Sequence, residues 1–306
     1  MAHSPEAGLA PGDLWSKIQQ QTRHALDCGA LQPIDTRYEF VEQGKMRFLV
    51  RILANLTRKE KADLVQQTQQ QAGKPANPFL PYDSDLFVAN LSATHLCLLN
   101  KYNVVDHHIL IVTRAFEDQD TWLTLADFEA LALGMTDIDG LAFYNGGRLA
   151  GASQRHKHLQ LVPPPLCPDR SPLPLDTVIA ALDARASTAT PVRSPLLPFH
   201  HAILPLQTGS HAAPSPDAKT LLESYRALLS DLGVDWHQPP DTFPYNLLVT
   251  RRWMMAVARQ QDQYQSIPVN SLGFAGSLLV KNFDQLQLLK SLGPMTVLEN
   301  VARSSG

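Results

Sequence analysis

Residues 150–165 read AGASQRHKHLQLVPPP. Two histidines and a glutamine, His156, His158 and Gln160, fall on alternate positions between a run of small residues and three prolines. Side chains of a β-strand alternate between its faces, so these three share one face and Lys157, Leu159 and Leu161 take the other. The period predicts a strand with one chemically active polar face and one mainly apolar packing face. Just upstream, NGGRLAGASQ (145–154) supplies Asn145, Gly146, Gly147, Ala150, Gly151 and Ala152, then Ser153 and Gln154. Small residues let a backbone come close to a ligand. Consecutive exposed N–H groups there would cradle phosphate oxygens.

Outward from this stretch, HLCLLNKYNVVDHHILIVTR (95–114) has apolar runs at 95–99 and 108–113 joined by a polar connector, a β-hairpin with a long loop. TLADFEALALGM (124–135) opens with Thr124 and Asp127 in capping-box spacing, so a helix begins there. GLAFYN and RHKHLQLV then form a second strand pair. This order is α+β rather than strict βαβ alternation. Towards the N-terminus, DLWSKIQQQTRHALDCG (13–29) predicts a helix stopped at Gly29, and YEFVEQGKMRFLVRIL (38–53) a hairpin turning at Gly44. The polar, proline-marked stretch 58–83 reads as a mobile loop.

Residues 163–215 shift to proline and serine, a linker holding one short helix, DTVIAALDARA (176–186). The second half then echoes the first. FHHAILPL is a strand, and SPDAKTLLESYRALLSDLG a helix with Ser215 as N-cap, Pro216 at its first position and Gly233 at its end. YNLLVTRRWMMAVAR (245–259) is a tight hairpin with Arg251 and Arg252 at its turn, mirroring the 95–114 hairpin. FDQLQLLKSLG and TVLENVA close the chain as helices. The pattern suggests two copies of one α+β unit, the second without the histidine motif. The expected division is a catalytic domain over 1–165, a proline-rich linker over 166–195 and a C-terminal domain over 196–306.

The 306 residues are 44% hydrophobic and 18% charged, with a net charge of −3. That is enough chain for one large domain or two modest ones, and it lacks the basic surplus that binding nucleic acid or an anionic membrane would leave. No apolar run is long enough to span a bilayer, and the N-terminus lacks the basic and apolar regions of a signal peptide. Three cysteines stand far apart without a CxxC pair, which fits a reducing compartment, so a cytoplasmic protein is expected.

Histidine is a good nucleophile toward phosphorus, and its neutral form is abundant near pH 7. To attack through Nε2, its Nδ1–H should be held by an acceptor, commonly a backbone carbonyl. A neighbouring histidine would orient it or bind phosphate, and a glutamine would donate its amide without titrating. An HxH pair can also be part of a metal site, but that needs further ligands. DHH (106–108) could supply some, yet no carboxylate cluster accompanies it, so no metal site is expected. His107 and His108 are read as structural or rim residues, and His200 and His201 as surface.

NGGRLAGASQRHKHLQ resembles the signature of the ATP adenylyltransferases, or diadenosine tetraphosphate phosphorylases, a branch of the histidine-triad superfamily related to galactose-1-phosphate uridylyltransferases. LLNKYNVVDHHILIVTRAFEDQ, NLLVTRRWMMAVAR and VNSLGFAGSLLVKN extend the resemblance over about residues 40–285. It implies a histidine-triad-like antiparallel sheet with flanking helices, and a nucleotidyltransferase. His158 would be the nucleophile that takes AMP, with Gln160 on the transferred phosphate and His156 beside them. Asn145 with Gly151, Ala152, Ser153 and Gln154 would hold ribose and phosphates. Asn100 and Lys101 would bind nucleotide. Asn270, Ser271, Leu272 and Lys281 would close the site from the second half. Lys59 matches a phosphate-gripping lysine, with Lys61 close enough to compete for that role. Ser277 departs from the bulkier apolar residue expected in fungal members.

The resemblance further implies a two-step reaction. His158 attacks diadenosine tetraphosphate and releases ATP, then phosphate takes the adenylyl group to give ADP, with the reverse also possible. Sulfate or adenosine phosphosulfate are alternative substrates in related members. Mg²⁺ is expected with the nucleotide rather than in a protein cage. The partners implied are small nucleotides and phosphate, with no nucleic acid or membrane, and a monomer is favoured. A hydrolase of the same superfamily would carry a third histidine in place of Gln160. A uridylyltransferase would carry metal-binding cysteines, and a non-catalytic nucleotide sensor would have lost the nucleophile.

Overall fold

The computed structural model describes residues 12–54, 77–169, 173–182, 190–206 and 215–304. In chain order, helix α1 (Asp13–Asp27) precedes the hairpin β1 (Thr36–Gln43) and β2 (Met46–Leu53). β3 (Phe87–Asn90), β4 (His95–Leu99) and β5 (Ile109–Thr113) follow, then α2 (Leu125–Asp137), β6 (Leu141–Gly146), β7 (His158–Val162) and α3 (Pro174–Leu182). The second half holds β8 (His201–Pro205), α4 (Ala218–Asp231), β9 (Tyr245–Val249) and β10 (Trp253–Ala258). Two short strands, β11 (Gln263–Tyr264) and β12 (Ile267–Pro268), lead to α5 (Ser271–Phe274), β13 (Ser277–Val280), α6 (Phe283–Leu292) and α7 (Pro294–Val301).

The expected α+β fold is present. Eight strands form one antiparallel sheet in the order β3-β4-β5-β7-β6-β9-β10-β8, so both halves of the chain share it. Alternation sorts its side chains. Ile109, Ile111, Leu159, Leu161, Ala142, Leu247 and Met254 face a layer formed by α1, α2 and α4. Phe143, Leu248, Met255 and Ile203 face the opposite way, onto a layer built from β2, α3, β13, α6 and α7. In that layer β13 pairs parallel with β2 and β1 antiparallel with β2, so the end of the chain closes on its first hairpin. A smaller apolar cluster, Leu96, Leu98, Leu110 and Val112 with Phe79, covers β4 and β5. His158 and Gln160 lie on the sheet face shared by these last two clusters.

The repeat is real in topology, but its parts correspond differently from the sequence expectation. β5-α2-β6-β7 and β8-α4-β9-β10 follow the same path, each ordering its strands first, third, second. The tight hairpin β9–β10 therefore matches β6–β7, not β4–β5. The halves meet where β6 pairs antiparallel with β9, with Asn145 opposite Asn246. They differ in one connection: residues 147–157 separate β6 from β7, whereas 250–252 suffice between β9 and β10.

Local signals account for several ends. Thr124 and Asp127 form the expected capping box on α2. The α4 cap is Asp217 rather than Ser215, because the Asp217 carboxylate accepts from Lys219 N and Thr220 N. Gly233 ends that helix region at φ 82°. In the proline-rich stretch the described residues are packed rather than loose: Leu173, Leu175, Val178 and Ile179 are buried in the core beside β2. Of the proposed loop over 58–83, residues 58–76 lie outside the described residues, and Phe79 is buried. No helix among the described residues is long and apolar enough to cross a membrane.

Candidate active site

The imidazole of His158 is held from one side only. Its Nδ1 lies 2.8 Å from the carbonyl oxygen of His156. That contact keeps the proton on Nδ1 and the lone pair on Nε2, and among the described residues nothing hydrogen-bonds to Nε2. Burial pushes the His158 pKa down to about 4, the His156 carbonyl pulling the other way, so the ring is neutral at physiological pH. The Phe79 ring packs 5.3 Å from it, centroid to centroid.

His156 works through its backbone. Its Nε2 is 2.8 Å from the Thr113 carbonyl oxygen and its Nδ1 is 3.0 Å from Asn77 Nδ2. Both ring nitrogens of His156 are thus engaged within the protein. Phe79 and Phe116 pack edge-on against its ring.

Gln160 follows on the same face, opposite Leu110 of β5. Beside it lies His108, buried rather than at the rim. Asn100 Nδ2 donates to His108 Nδ1 across 3.1 Å, which places the His108 proton on Nε2. That Nε2 is buried without a partner of good geometry, although Gln160 is close enough to favour its protonation. Burial is the larger effect and lowers the His108 pKa to about 4. Asn100 thus reaches the site by way of His108.

The reverse face is apolar at Leu159 and Leu161, as expected, with the lysine just before the strand start. Lys157 is fully buried, with Nζ 3.0 Å from Asp127 Oδ2, 3.0 Å from the Trp122 carbonyl and 3.1 Å from Glu117 Oε2. Asp127 also meets His95 Nε2 at 3.1 Å. Burial opposes ionisation of Asp127, but the His95 hydrogen bond, the Lys157 charge and Thr124 outweigh it and hold its pKa at about 2.

The small-residue loop is locked to the second half. Gly151, at φ 88°, lies so close to Val269 and Asn270 that a Cβ would come within 2.6 Å of the Val269 carbonyl oxygen. Asn145 Oδ1 accepts from Ser271 N, Ser271 Oγ and Asn246 Nδ2. Ser271 also donates to the Tyr144 carbonyl. Arg259, buried at the end of β10, donates to the carbonyls of Ala150, Gln261, Val269 and Val301 and to Asn246 Oδ1. Burial lowers its pKa to about 9. Of the loop amides expected to cradle phosphate, Gly151 N and Ala152 N already bond to Arg148 O and Gly147 O. Ser153 is exposed and Gln154 half-buried just beyond them.

The structure therefore joins Asn145, Gly151, Asn270 and Ser271, and places His156, His158, Gln160 and Asn100 in a second group around β7. Asn270 caps α5 by accepting from Leu272 N. Lys101 points to Asp83 at 3.7 Å, and Lys281 is exposed after β13. Lys59 and Lys61 lie outside the described residues. Arg251 binds the carbonyls of Met135 and Thr136 at the end of α2, away from the loop. His201 is buried, not surface, because its ring donates to Phe199 O and accepts from Ser194 N. Asn77, Phe79, Gln119, Asn246 and Arg259 were not anticipated. Gln119 ends the segment LLNKYNVVDHHILIVTRAFEDQ, and Asn246 and Arg259 are the two ends of NLLVTRRWMMAVAR, so these three lie in stretches that had been part of the resemblance.

The class of the protein, a nucleotidyltransferase, follows from its family. Residues 4–181 match the Ap4A phosphorylase N-terminal domain, and residues 195–304 match the ATP adenylyltransferase C-terminal domain. The chain belongs to the Ap4A phosphorylase (ATP adenylyltransferase) family. Diadenosine 5',5'''-P1,P4-tetraphosphate phosphorylase 2 of Saccharomyces cerevisiae is 31% identical over 241 residues, 71% of this chain and 72% of the relative. Protein APA1 of the same yeast is 27% identical over 298 residues, 89% and 88% of the two chains. The crystal structure of yeast Ap4A phosphorylase Apa2 in complex with Ap4A matches the fold with a TM-score of 0.77 at 24% identity, covering 97% of this chain and 100% of that one.

Proposed function

We propose that this protein carries out the reversible phosphorolysis of diadenosine tetraphosphate to ADP and ATP through an adenylyl group on His158. The observation that carries the reading is the Nδ1 contact of His158 with the His156 carbonyl, which puts the ring proton on Nδ1 and the lone pair on Nε2. In the first step Nε2 donates its lone pair to an α-phosphorus, and the bond to the bridging oxygen breaks, releasing ATP as an anion. The ring becomes cationic while its Nδ1–H stays on the His156 carbonyl, which stabilises that charge. A phosphate oxygen then attacks the same phosphorus, the P–N bond breaks, and ADP leaves with the imidazole neutral again. Gln160 donates its amide to a phosphate oxygen throughout and transfers no proton, which suits a phosphate acceptor rather than water. Sulfate as acceptor and adenosine phosphosulfate as donor belong to the same proposal, as tetrahedral oxyanion chemistry of similar size.

Asn145 Nδ2, Ser153, Gln154, Lys101, Asn270, Leu272 and Lys281 are the further groups we assign to the nucleotide, with Lys59 or Lys61. Residues 1–165 supply the nucleophile, and 196–306 complete the site within one chain, so a monomer suffices. Mg²⁺ enters with the polyphosphate. The carboxylates of Glu117, Asp118 and Asp127 are engaged with Lys157 and Arg155, the residues flanking His156.

The test is to incubate the protein with Ap4A and Mg²⁺, with and without phosphate, and to resolve the products beside His158→Ala. ADP and ATP formed only with phosphate, and lost in the variant, are the expected result. AMP and ATP without phosphate would make water the acceptor and the protein a hydrolase. Tight binding without turnover would make it a sensor.

A further inference from the structure

Strands β6 and β7 part company at the nucleophile. Their paired register ends at Phe143↔Gln160, although Asn145 and His158 lie only two residues further along. Gln119 fills the gap. Its Oε1 accepts from His158 N at 2.8 Å, and its Nε2 donates to His158 O at 3.2 Å and to Asn145 O at 3.0 Å. One buried side-chain amide thus replaces a rung of the sheet at the reactive residue.

The residues before it are built into the same wedge. Lys157 N donates to Glu117 O at 2.8 Å and Gln119 N to Arg155 O at 2.7 Å, flanking a bridge between Asp118 and His156. The Tyr144 hydroxyl donates to the Gln119 carbonyl and fixes the wedge from behind. Without the wedge, His158 would be drawn into ordinary pairing with β6, and the loop 147–157 would lose its opening.

We propose that Gln119 is a positioning residue for adenylyl transfer: it splays β6 from β7 and sets the backbone of His158, and so the aim of its Nε2. The proposal rests on His158 being the nucleophile. A displacement of about 1 Å of a reacting group lowers turnover by about 100-fold.

The test compares Gln119→Met, which keeps the shape and removes all three bonds, with Gln119→Glu, which keeps only the acceptor for His158 N. Both are measured in the full chain for thermal melting, AMP affinity by calorimetry and steady-state phosphorolysis of Ap4A. Histidine ring ¹⁵N spectra of the parent and both variants report the His158 tautomer. For positioning, both variants stay folded and bind AMP within about threefold of the parent, while kcat falls about 100-fold. The Gln119→Glu deficit shrinks as pH is lowered, because a protonated carboxyl donates again to one of the two carbonyls, whereas the Gln119→Met deficit does not change. Turnover within about threefold of the parent, or a kcat loss matched by an equal loss of AMP affinity, would overturn the proposal. If the parent itself does not turn over Ap4A, the functional reading fails, and the ring spectra then decide. A His158 signal unchanged in both variants sinks the positioning role, and a shifted one keeps it. If Gln119→Met does not fold, Gln119→Glu carries the comparison alone.

Discussion

The carbonyl oxygen that holds the His158 ring belongs to His156, two residues earlier in the same chain and 2.8 Å from Nδ1. His201 repeats the relationship at the start of β8, with Nδ1 2.7 Å from the carbonyl of Phe199. His158 keeps Nε2 open, whereas His201 receives Ser194 N on that atom. The same backbone device thus orients both rings, with Nε2 of His201 engaged by the backbone and Nε2 of His158 the atom proposed to react.

Because His156 acts through its carbonyl, truncating its ring should harm less than removing His158. His156→Ala should lower kcat by about tenfold through loosened contacts with Thr113 and Asn77, and His158→Ala by more than about a thousandfold. Rapid-quench measurement of the first turnover checks both; equal losses would mean that the His156 ring takes part directly.

Acid should weaken the fold before it silences the nucleophile. Burial lowers His108, His158 and His201 each to about 4, whereas an unfolded histidine titrates near 6.5. Below 6.5 the unfolded chain takes up protons that the folded chain refuses, so this stability is fully present above about 6.5 and is lost progressively towards 4. The urea midpoint should therefore be lower at pH 5 than at pH 7.5. The acid limb of the initial rate should lie below the ordinary histidine value; a limb centred at 6.5 would contradict a desolvated His158.

The ion pair behind the strand predicts an asymmetry. Lys157→Met leaves the buried Asp127 carboxylate with its hydrogen bonds to His95 and Thr124 but without the Lys157 ion pair, and should destabilise the protein by about 3–5 kcal/mol. Changing Asp127 to Leu in the same chain should recover part of that loss, because no uncompensated carboxylate remains. Denaturant melts of the single and double variants test this; an additive double loss would show that the pair is not a unit.

Gly151 and Gly233 share a left-handed backbone but not surroundings. Around Gly233 nothing would meet a Cβ within 4 Å, whereas at Gly151 the Val269 carbonyl oxygen would lie at 2.6 Å. Gly233→Ala should show only the backbone penalty, about 1 kcal/mol. Gly151→Ala should add displacement of Asn270 and lower kcat/KM for Ap4A by about tenfold or more. Equal stability and activity in the two variants would mean that the loop yields without disturbing the second half.

Much of this was legible because it depends on neighbours in sequence. Alternation along 156–160 placed His158 and Gln160 on one face, and Thr124 with Asp127 announced the start of α2. Other features depend on residues far apart. The sequence places Lys157 on the packing face but does not name its partners Asp127 and Glu117, which lie 30 and 40 positions away. Gln119 acts on backbone atoms of two other strands, a role that no residue pattern encodes. The parallel pairing of β13 with β2 joins residues over two hundred positions apart. In SPD (215–217) both Ser215 and Asp217 can cap a helix, and only the local geometry selects Asp217.

The meeting of β6 with β9 has a consequence for dilution. Two like units that joined as separate chains would come apart at low concentration, and any site closed by both would disappear with them. Here one polypeptide carries both, and Asn145, Asn246, Ser271 and Arg259 bind them at a single seam. The contacts between the two halves are then intramolecular, and for the single-chain site proposed above their equilibrium does not depend on concentration. Specific activity and melting temperature should therefore hold constant as the protein is diluted, so the enzyme can act on scarce nucleotides while being scarce itself.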